Sequence, residues 1–172
     1  MKINYNTSTL HLEDMPLDIG YASEKVALKN YSDETFTIGG QNGFTQLVIS
    51  APFIDDTLLA QMKEIDSLLS LNALGGITKA LVTANTKTDI PNSEEWLVGI
   101  DTDEMFGDYY GIRLAPGELG GELTKALFVI SKDGAVFYNE IPNSLDEPFN
   151  IDKIVVKIAA ANNCYTGKGC HG

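Results

Sequence analysis

Cysteine is nearly absent from this chain. Of 172 residues only Cys164 and Cys170 are cysteines, and both fall within the last nine. The body of the protein therefore holds no internal disulfide, and before residue 164 it offers no thiol as a nucleophile or metal ligand. Basic residues are also scarce, with 12 Lys and Arg against 24 Asp and Glu and a formal charge of −12. A nucleic-acid backbone or an anionic lipid surface repels such a chain over a Debye length of ~8 Å at physiological salt, which argues against both partners. The acids are scattered, so their plainest role is solubility. No apolar run reaches the ~20 residues that span a bilayer. The first eight residues, Met1 to Ser8, lack the apolar core of a secretion signal. The expectation is a soluble, cytoplasmic protein that binds neither nucleic acid nor membrane. There is no internal repeat, and the length suits one domain with a real core.

What is present is an alternation of apolar runs and turn signals. Ile3-Asn-Tyr5 and Leu10-His-Leu12 flank Asn6-Thr-Ser8 and predict a small hairpin, with His11 as a surface residue. Glu34–Ile38 and Thr45–Ile49 flank Asn42-Gly43 and predict a second hairpin. A helix follows from about Asp56 to Ser70, with Leu58, Met62, Ile65 and Leu69 on one face. Asp55 and Asp56 stand at its start, where capping is a simpler role than metal or acid–base chemistry. Gly75-Gly76 precedes a central strand at Thr78–Thr83. Asn85–Glu95 is polar, contains Pro91, and predicts a loop or a single helical turn. Trp96–Ile100 predicts a short strand, and Met105–Tyr110 a short helix closed by Gly111. Ala126–Ile130, Lys132-Asp-Gly134 and Ala135–Tyr138 read as strand, turn and strand. Asn150 caps a last helix whose stripe is Ile151, Ile154, Val155 and Ile158. Strands separated by helices, then a hairpin and a helix, make a mixed-sheet α/β sandwich over residues 1–163. Residues 164–172 have three glycines and no periodicity, which marks a tail.

Two segments run in register without gaps and carry a further signal. Phe106-Gly-Asp-Tyr-Tyr-Gly-Ile-Arg-Leu-Ala-Pro-Gly-Glu-Leu-Gly-Gly121 resembles a Tyr-Gly-Val stretch followed by a Gly-Pro-Leu-x-Gly loop. Lys125-Ala-Leu-Phe-Val-Ile-Ser-Lys-Asp-Gly134 resembles an Arg-Ala-Val-Phe-Val strand with an Asp-x-x-Gly turn. Both are features of the bacterial thiol peroxidases, which are atypical two-cysteine peroxiredoxins, and the resemblance spans about residues 1 to 160. It implies a thioredoxin-like, peroxiredoxin-type three-layer sandwich with a mixed sheet and an N-terminal β-hairpin. It also implies a homodimer, a thiol reductant or protein partner, and no cofactor.

The family's active site is Pro-x-x-x-Thr-x-x-Cys, completed by an arginine from a later strand. Carried over by position, Pro52 keeps the proline, Asp56 stands for the threonine, Leu59 for the peroxidatic cysteine and Lys125 for the arginine. Peroxide reduction by this route needs a thiolate, and Leu59 supplies none. Asp56 adds charge of the wrong sign for a thiolate, and Lys125 keeps a positive charge without the bidentate fork. The family's resolving cysteine rides on a helix where this chain has only the polar Asn85–Glu95. Leu59, like Leu58, is expected to be buried core on the helix.

The remaining chemistry lies in Cys164-x5-Cys170-His171. A disulfide there would close a small ring worth ~2 kcal/mol of chain entropy. Two thiolates and an imidazole fall one ligand short of a closed zinc site. A redox pair is the third reading: Lys168 and His171 favour the Cys170 thiolate, whereas Cys164 follows a helix C-terminus, which disfavours one. Covalent haem attachment uses Cys-x-x-Cys-His, a shorter spacing than this one. A tail without special function is the fourth reading. The expectation is thus a thiol-peroxidase-like redox protein with its ancestral site lost and residual thiol–disulfide activity at Cys164 and Cys170. The alternatives are a non-catalytic dimeric binding or scaffold protein, and metal handling by the tail.

Overall fold

The computed structural model describes residues 1–84 and 95–164. The region expected to be a polar loop (85–94) and the tail beyond Cys164 lie outside the described residues. Five strands come first: β1 (Lys2–Tyr5), β2 (Ser8–His11), β3 (Val26–Lys29), β4 (Thr35–Ile38) and β5 (Gln46–Ser50). Helix α1 (Asp56–Leu71) leads to β6 (Thr78–Thr83) and β7 (Leu97–Ile100). Helix α2 (Met105–Tyr110), β8 (Ala126–Ile130), β9 (Val136–Glu140) and α3 (Ile151–Asn162) complete the order. β1 and β2 pair as the N-terminal hairpin, with Asn6 at φ 52° in its turn. The other strands form one mixed sheet in the order β4-β3-β7-β6-β5-β8-β9.

β5 occupies the protected slot of that sheet. It runs parallel to β6 on one side and antiparallel to β8 on the other, and all five of its residues are buried. This burial explains why Leu47-Val-Ile49 reads as a continuous apolar run rather than an alternating one. On one face, α1 and α3 cover the sheet with Leu58, Met62, Ile65, Leu69, Ile154 and Ile158. On the other, Phe106, Tyr110, Ile112 and Leu123 cover Val48, Ala80, Val82 and Phe128. Helices thus lie on both faces, and the three-layer thioredoxin-like sandwich expected from the sequence is present.

The second predicted hairpin is not. β4 pairs with β3, while β5 lies four places away across β3, β7 and β6. The Asn42-Gly43 signal does make a turn, in which the Asn42 side chain accepts from the Phe44 amide at 2.9 Å. That turn sends the chain across the sheet instead of back along β4. The hairpin actually formed turns at Asn30, whose side-chain oxygen accepts from the Ser32 and Glu34 amides, each at 2.9 Å. Burial decides between the two pairings: β5 is apolar on both faces and must be interior, whereas β4 alternates and suits an edge.

Helix α2 is too short to be stable alone and is held from outside. Asp101 accepts from the amides of Phe106 and Gly107, both at 2.9 Å, and so supplies the cap that Glu104 does not. Arg113 bonds Asp108 and the Glu104 carbonyl from the side, with Glu13 at 3.6 Å. Gly111 closes the helix at φ 66°, where a Cβ would fall 2.0 Å from the Met15 carbonyl oxygen. Gly39 is constrained in the same way: its φ is 75° and a Cβ would meet the Tyr110 hydroxyl at 2.1 Å. That hydroxyl donates to the Glu24 carbonyl at 3.0 Å, and burial raises its pKa well above the usual phenol value.

Burial also raises the Asp101 pKa above the usual carboxylate value, against the pull of its two amide donors and Arg113. An acid with a raised folded-state pKa is relatively more stable protonated. The ionised Asp101 therefore weakens the fold as pH rises from the unfolded value of 3.8 through the folded one. Asp101→Asn removes this titration. In urea unfolding followed against pH, the wild type should lose stability relative to the variant over that window and then run parallel to it. A flat difference would contradict the assignment.

Candidate functional site

The end of β5 opens onto a small cleft. Ala51, Pro52 and Phe53 leave the strand, Asp55 and Leu58 come from the start of α1, Lys125 precedes β8, and Leu145 comes from the loop after β9. The cleft has room for about a single water molecule. Asp55 is the N-cap of α1, accepting from the Leu58 amide at 2.8 Å, as a carboxylate at that position should. The N-terminal hairpin braces the outer wall. The Tyr5 ring lies 5.8 Å from that of Phe53, and Ile3, Leu10 and Leu12 pack with Leu114 and Leu145.

Lys125 is the buried cation of this cleft, with 7 % of its surface exposed. Its Nζ donates to the Glu147 carbonyl oxygen at 2.7 Å and lies 5.0 Å from the centre of the Phe149 ring. Phe149 is fixed in turn by the buried Gln61 of α1. Gln61 Nε2 donates to the Phe149 carbonyl at 3.0 Å, and its Oε1 accepts the Phe149 amide at 3.2 Å. Burial lowers the Lys125 pKa, and the carboxylates of Asp55, Asp146, Glu140 and Glu147 partly offset this. The electrostatic surroundings of the cleft are therefore a single buried ammonium among four acids.

The four positions matched by the resemblance are divided by this geometry. Pro52 and Lys125 come together in the cleft, while Asp56 and Leu59 are not part of its lining. Asp56 is exposed in the first turn of α1. Leu59 is only partly buried, against the α1/α3 side of the sheet, so the expectation of a buried Leu59 is met in part. The fully buried neighbour is Leu58, at 2 % exposure. Sequence reasoning missed Gln61, Glu147 and Phe149. The signal available for Gln61 was its place beside Leu58 and Met62 on the core-facing side of α1. Nothing in the sequence pattern points to the Glu147 carbonyl.

Cys164, past the end of α3, is half-buried and packs against the same core cluster, with its amide donating to Ala161 at 3.1 Å. Cys170 and His171 lie outside the described residues. Among the described residues no cluster of His, Cys, Asp or Glu is arranged to hold a metal ion, and no helix is long and apolar enough to cross a membrane.

With this geometry in place, comparison with known proteins defines a class. A peroxiredoxin-like protein from Aquifex aeolicus superposes with a TM-score of 0.76 at 21 % identity, over 92 % of this chain and 95 % of that one. The fold is that of the peroxiredoxins. Thiol peroxidase of Campylobacter jejuni is 28 % identical over 98 % of both chains. Thiol peroxidase of Helicobacter pylori is 27 % identical over 86 % of this chain and 93 % of its own. The chain is thus a peroxiredoxin-like homologue of bacterial thiol peroxidases. No family model matches it.

The two leucines at the start of α1 should separate in a stability measurement. Leu58→Ala should cost ~2–5 kcal/mol, the range for emptying a buried leucine site, and Leu59→Ala about 1 kcal/mol, since part of that side chain already meets water. Equal losses in urea unfolding would show that Leu59 is core after all.

Proposed function

We propose that this chain is a thiol-peroxidase-like protein that has lost the ancestral peroxidase site and retains thiol–disulfide chemistry only at Cys164 and Cys170. The observation that carries the reading is the chemistry of the α1 entrance. The position matching the peroxidatic cysteine is Leu59, which has no ionisable group. Lys125, at the arginine position, donates to the Glu147 carbonyl and feels the charges of four carboxylates. A nucleophilic thiolate needs cationic and donor groups turned toward it, and here the nearest fixed charges at the helix start are Asp55 and Asp56.

Restoring the sulfur alone should therefore fail. Leu59→Cys should show a thiol reacting with hydrogen peroxide at about the rate of an ordinary thiol, because Asp55 and Asp56 oppose the help that the helix N-terminus gives a thiolate. Fast peroxide reduction by this single variant in stopped-flow measurements would refute the loss of the site as a unit.

For the tail, peroxide treatment of the reduced protein should remove two thiols and two hydrogens together, forming an intramolecular Cys164–Cys170 disulfide, with Cys170 the faster-alkylating thiol. Intact mass and thiol counting read this directly, and Cys170→Ser should abolish it while leaving the fold unchanged. Two thiols that persist under excess oxidant would overturn the redox reading. A non-catalytic scaffold acting as a homodimer would then stand. It is favoured by the exposed apolar side chains of Met105 and Tyr109, one turn apart on α2, and of Met15 beside the end of that helix.

A further inference from the structure

We propose that the Asn42-Gly43 bend is a site of spontaneous modification: the Gly43 nitrogen closes on the Asn42 side chain, ammonia is lost, and an isoaspartate linkage follows. The reaction needs no thiol and no enzyme, so it stands apart from the chemistry proposed above.

Asn42 is the only asparagine of the chain that precedes a glycine, and both residues are exposed. The Asn42 side-chain oxygen accepts from the Phe44 amide at 2.9 Å, which folds the side chain back over the Gly43 peptide and draws electrons from Cγ. Among the described residues nothing accepts a hydrogen bond from the Gly43 amide, so its proton is open to water and base. Gly43 has no Cβ to shield its nitrogen, and nothing lies within 4 Å of where one would stand, which leaves room for a succinimide ring. The contrast with similar pairs carries the argument. By sequence alone Asp133-Gly134 is open to the same ring closure. There, however, Gly134 is buried and its amide donates to the Ser131 carbonyl at 2.9 Å. The Asp133 carboxylate accepts from the Ser131 hydroxyl and, at 3.2 Å, from the Ala135 amide. Asn72 precedes Ala73, whose amide donates to the Ser70 carbonyl at 3.1 Å. Asn30 sits in a turn of the same kind, but Tyr31 follows it and its side chain crowds the nitrogen.

In the reaction the Gly43 nitrogen gives its proton to base, and its lone pair forms a bond to Asn42 Cγ. The Cγ–Nδ2 bond breaks, and that nitrogen takes up a proton and leaves as ammonia. Water then opens the succinimide at either carbonyl. Opening at Cγ gives aspartate. Opening at the backbone carbonyl gives isoaspartate, in which the chain runs through Cβ and Cγ. Nothing is oxidised or reduced. Either product adds a negative charge, and isoaspartate lengthens the connection between β4 and β5 by one carbon. The fold absorbs this because the bend lies between fixed points. Gln46 Oε1 accepts from the Gly39 amide at 2.8 Å, its Nε2 donates to the Gly40 carbonyl at 3.1 Å, and Thr45 is buried on the other side. Residues 41–44 between them face solvent.

The test incubates the full chain at mildly alkaline pH and follows it by peptide mapping against time. Methyl transfer from S-adenosylmethionine by an isoaspartyl methyltransferase gives a second readout. The Asn42 peptide should gain the mass of one deamidation many-fold ahead of the peptides holding Asn30 and Asn72, and should accept the methyl group. Its rate should rise with pH, since the Gly43 nitrogen must lose a proton. Asn42→Gln should abolish this early methyl acceptance and leave the fold unchanged. Repeating the incubation in urea separates structure from sequence. Asn42 should react in both states, whereas isoaspartate at Asp133 should form only after unfolding. The proposal is overturned if Asn42 persists in the folded chain and reacts only in urea, or if Asn30 and Asn72 keep pace with it. If methyl acceptance at Asp133 grows as fast in the folded chain as in urea, the protection assigned to Gly134 is wrong.

Discussion

Gln46–Ser50 hydrogen-bonds to a parallel neighbour along one edge and to an antiparallel neighbour along the other, with every residue buried. A strand apolar on both faces cannot sit at an edge or leave a face uncovered, because its backbone groups need ladder partners and its side chains need a layer on each side. α1 and α3 supply one layer, and α2 with the segment through Leu123 supplies the other. The turn that follows the strand is thereby fixed in place. Residues 51–55 emerge at a defined point on the surface, beside Lys125 just before β8, and the cleft exists because these two chain ends must meet there.

The charge pattern around that point decides what chemistry fits. Thiolate catalysis wants positive charge and hydrogen-bond donors aimed at an anion. At this cleft Lys125 donates one hydrogen bond to a peptide carbonyl, the helix start carries two aspartates, and the loop after β9 adds two more acids. Gln61 and Glu147 hold that loop against α1 and Lys125, so the lysine is as much a part of the architecture as of any site. The peroxiredoxin fold does not depend on those few polar side chains, since the packing that defines it lies in the apolar faces of the sheet and helices.

Local signals succeeded wherever the responsible interactions were also local. The cap at Asp55, the stripe through Leu58, Met62, Ile65 and Leu69, the Gly111 stop and the Asn150 cap are all present at the expected residues. They failed where pairing was long-range. Val26–Lys29 is not among the expected strands, and the expected partner of β4 is β5, because Asn42-Gly43 is a good turn whichever way the chain leaves it. The contribution of Asp101 to α2 was likewise invisible, since it bridges a strand end to a helix across an irregular turn.

The amino-acid sequence by itself determined the absence of a thiol before residue 164, the excess of acid over base, and the helices and their buried faces. These are properties of residue type and short-range periodicity. Only the tertiary structure decided that β5 lies four places from β4, that Leu58 rather than Leu59 fills the core, and that Lys125 turns to the carbonyl of Glu147. Each of those outcomes depends on which distant segments share a surface. That is settled by burying both faces of one sheet at once, a condition no stretch of a few residues contains.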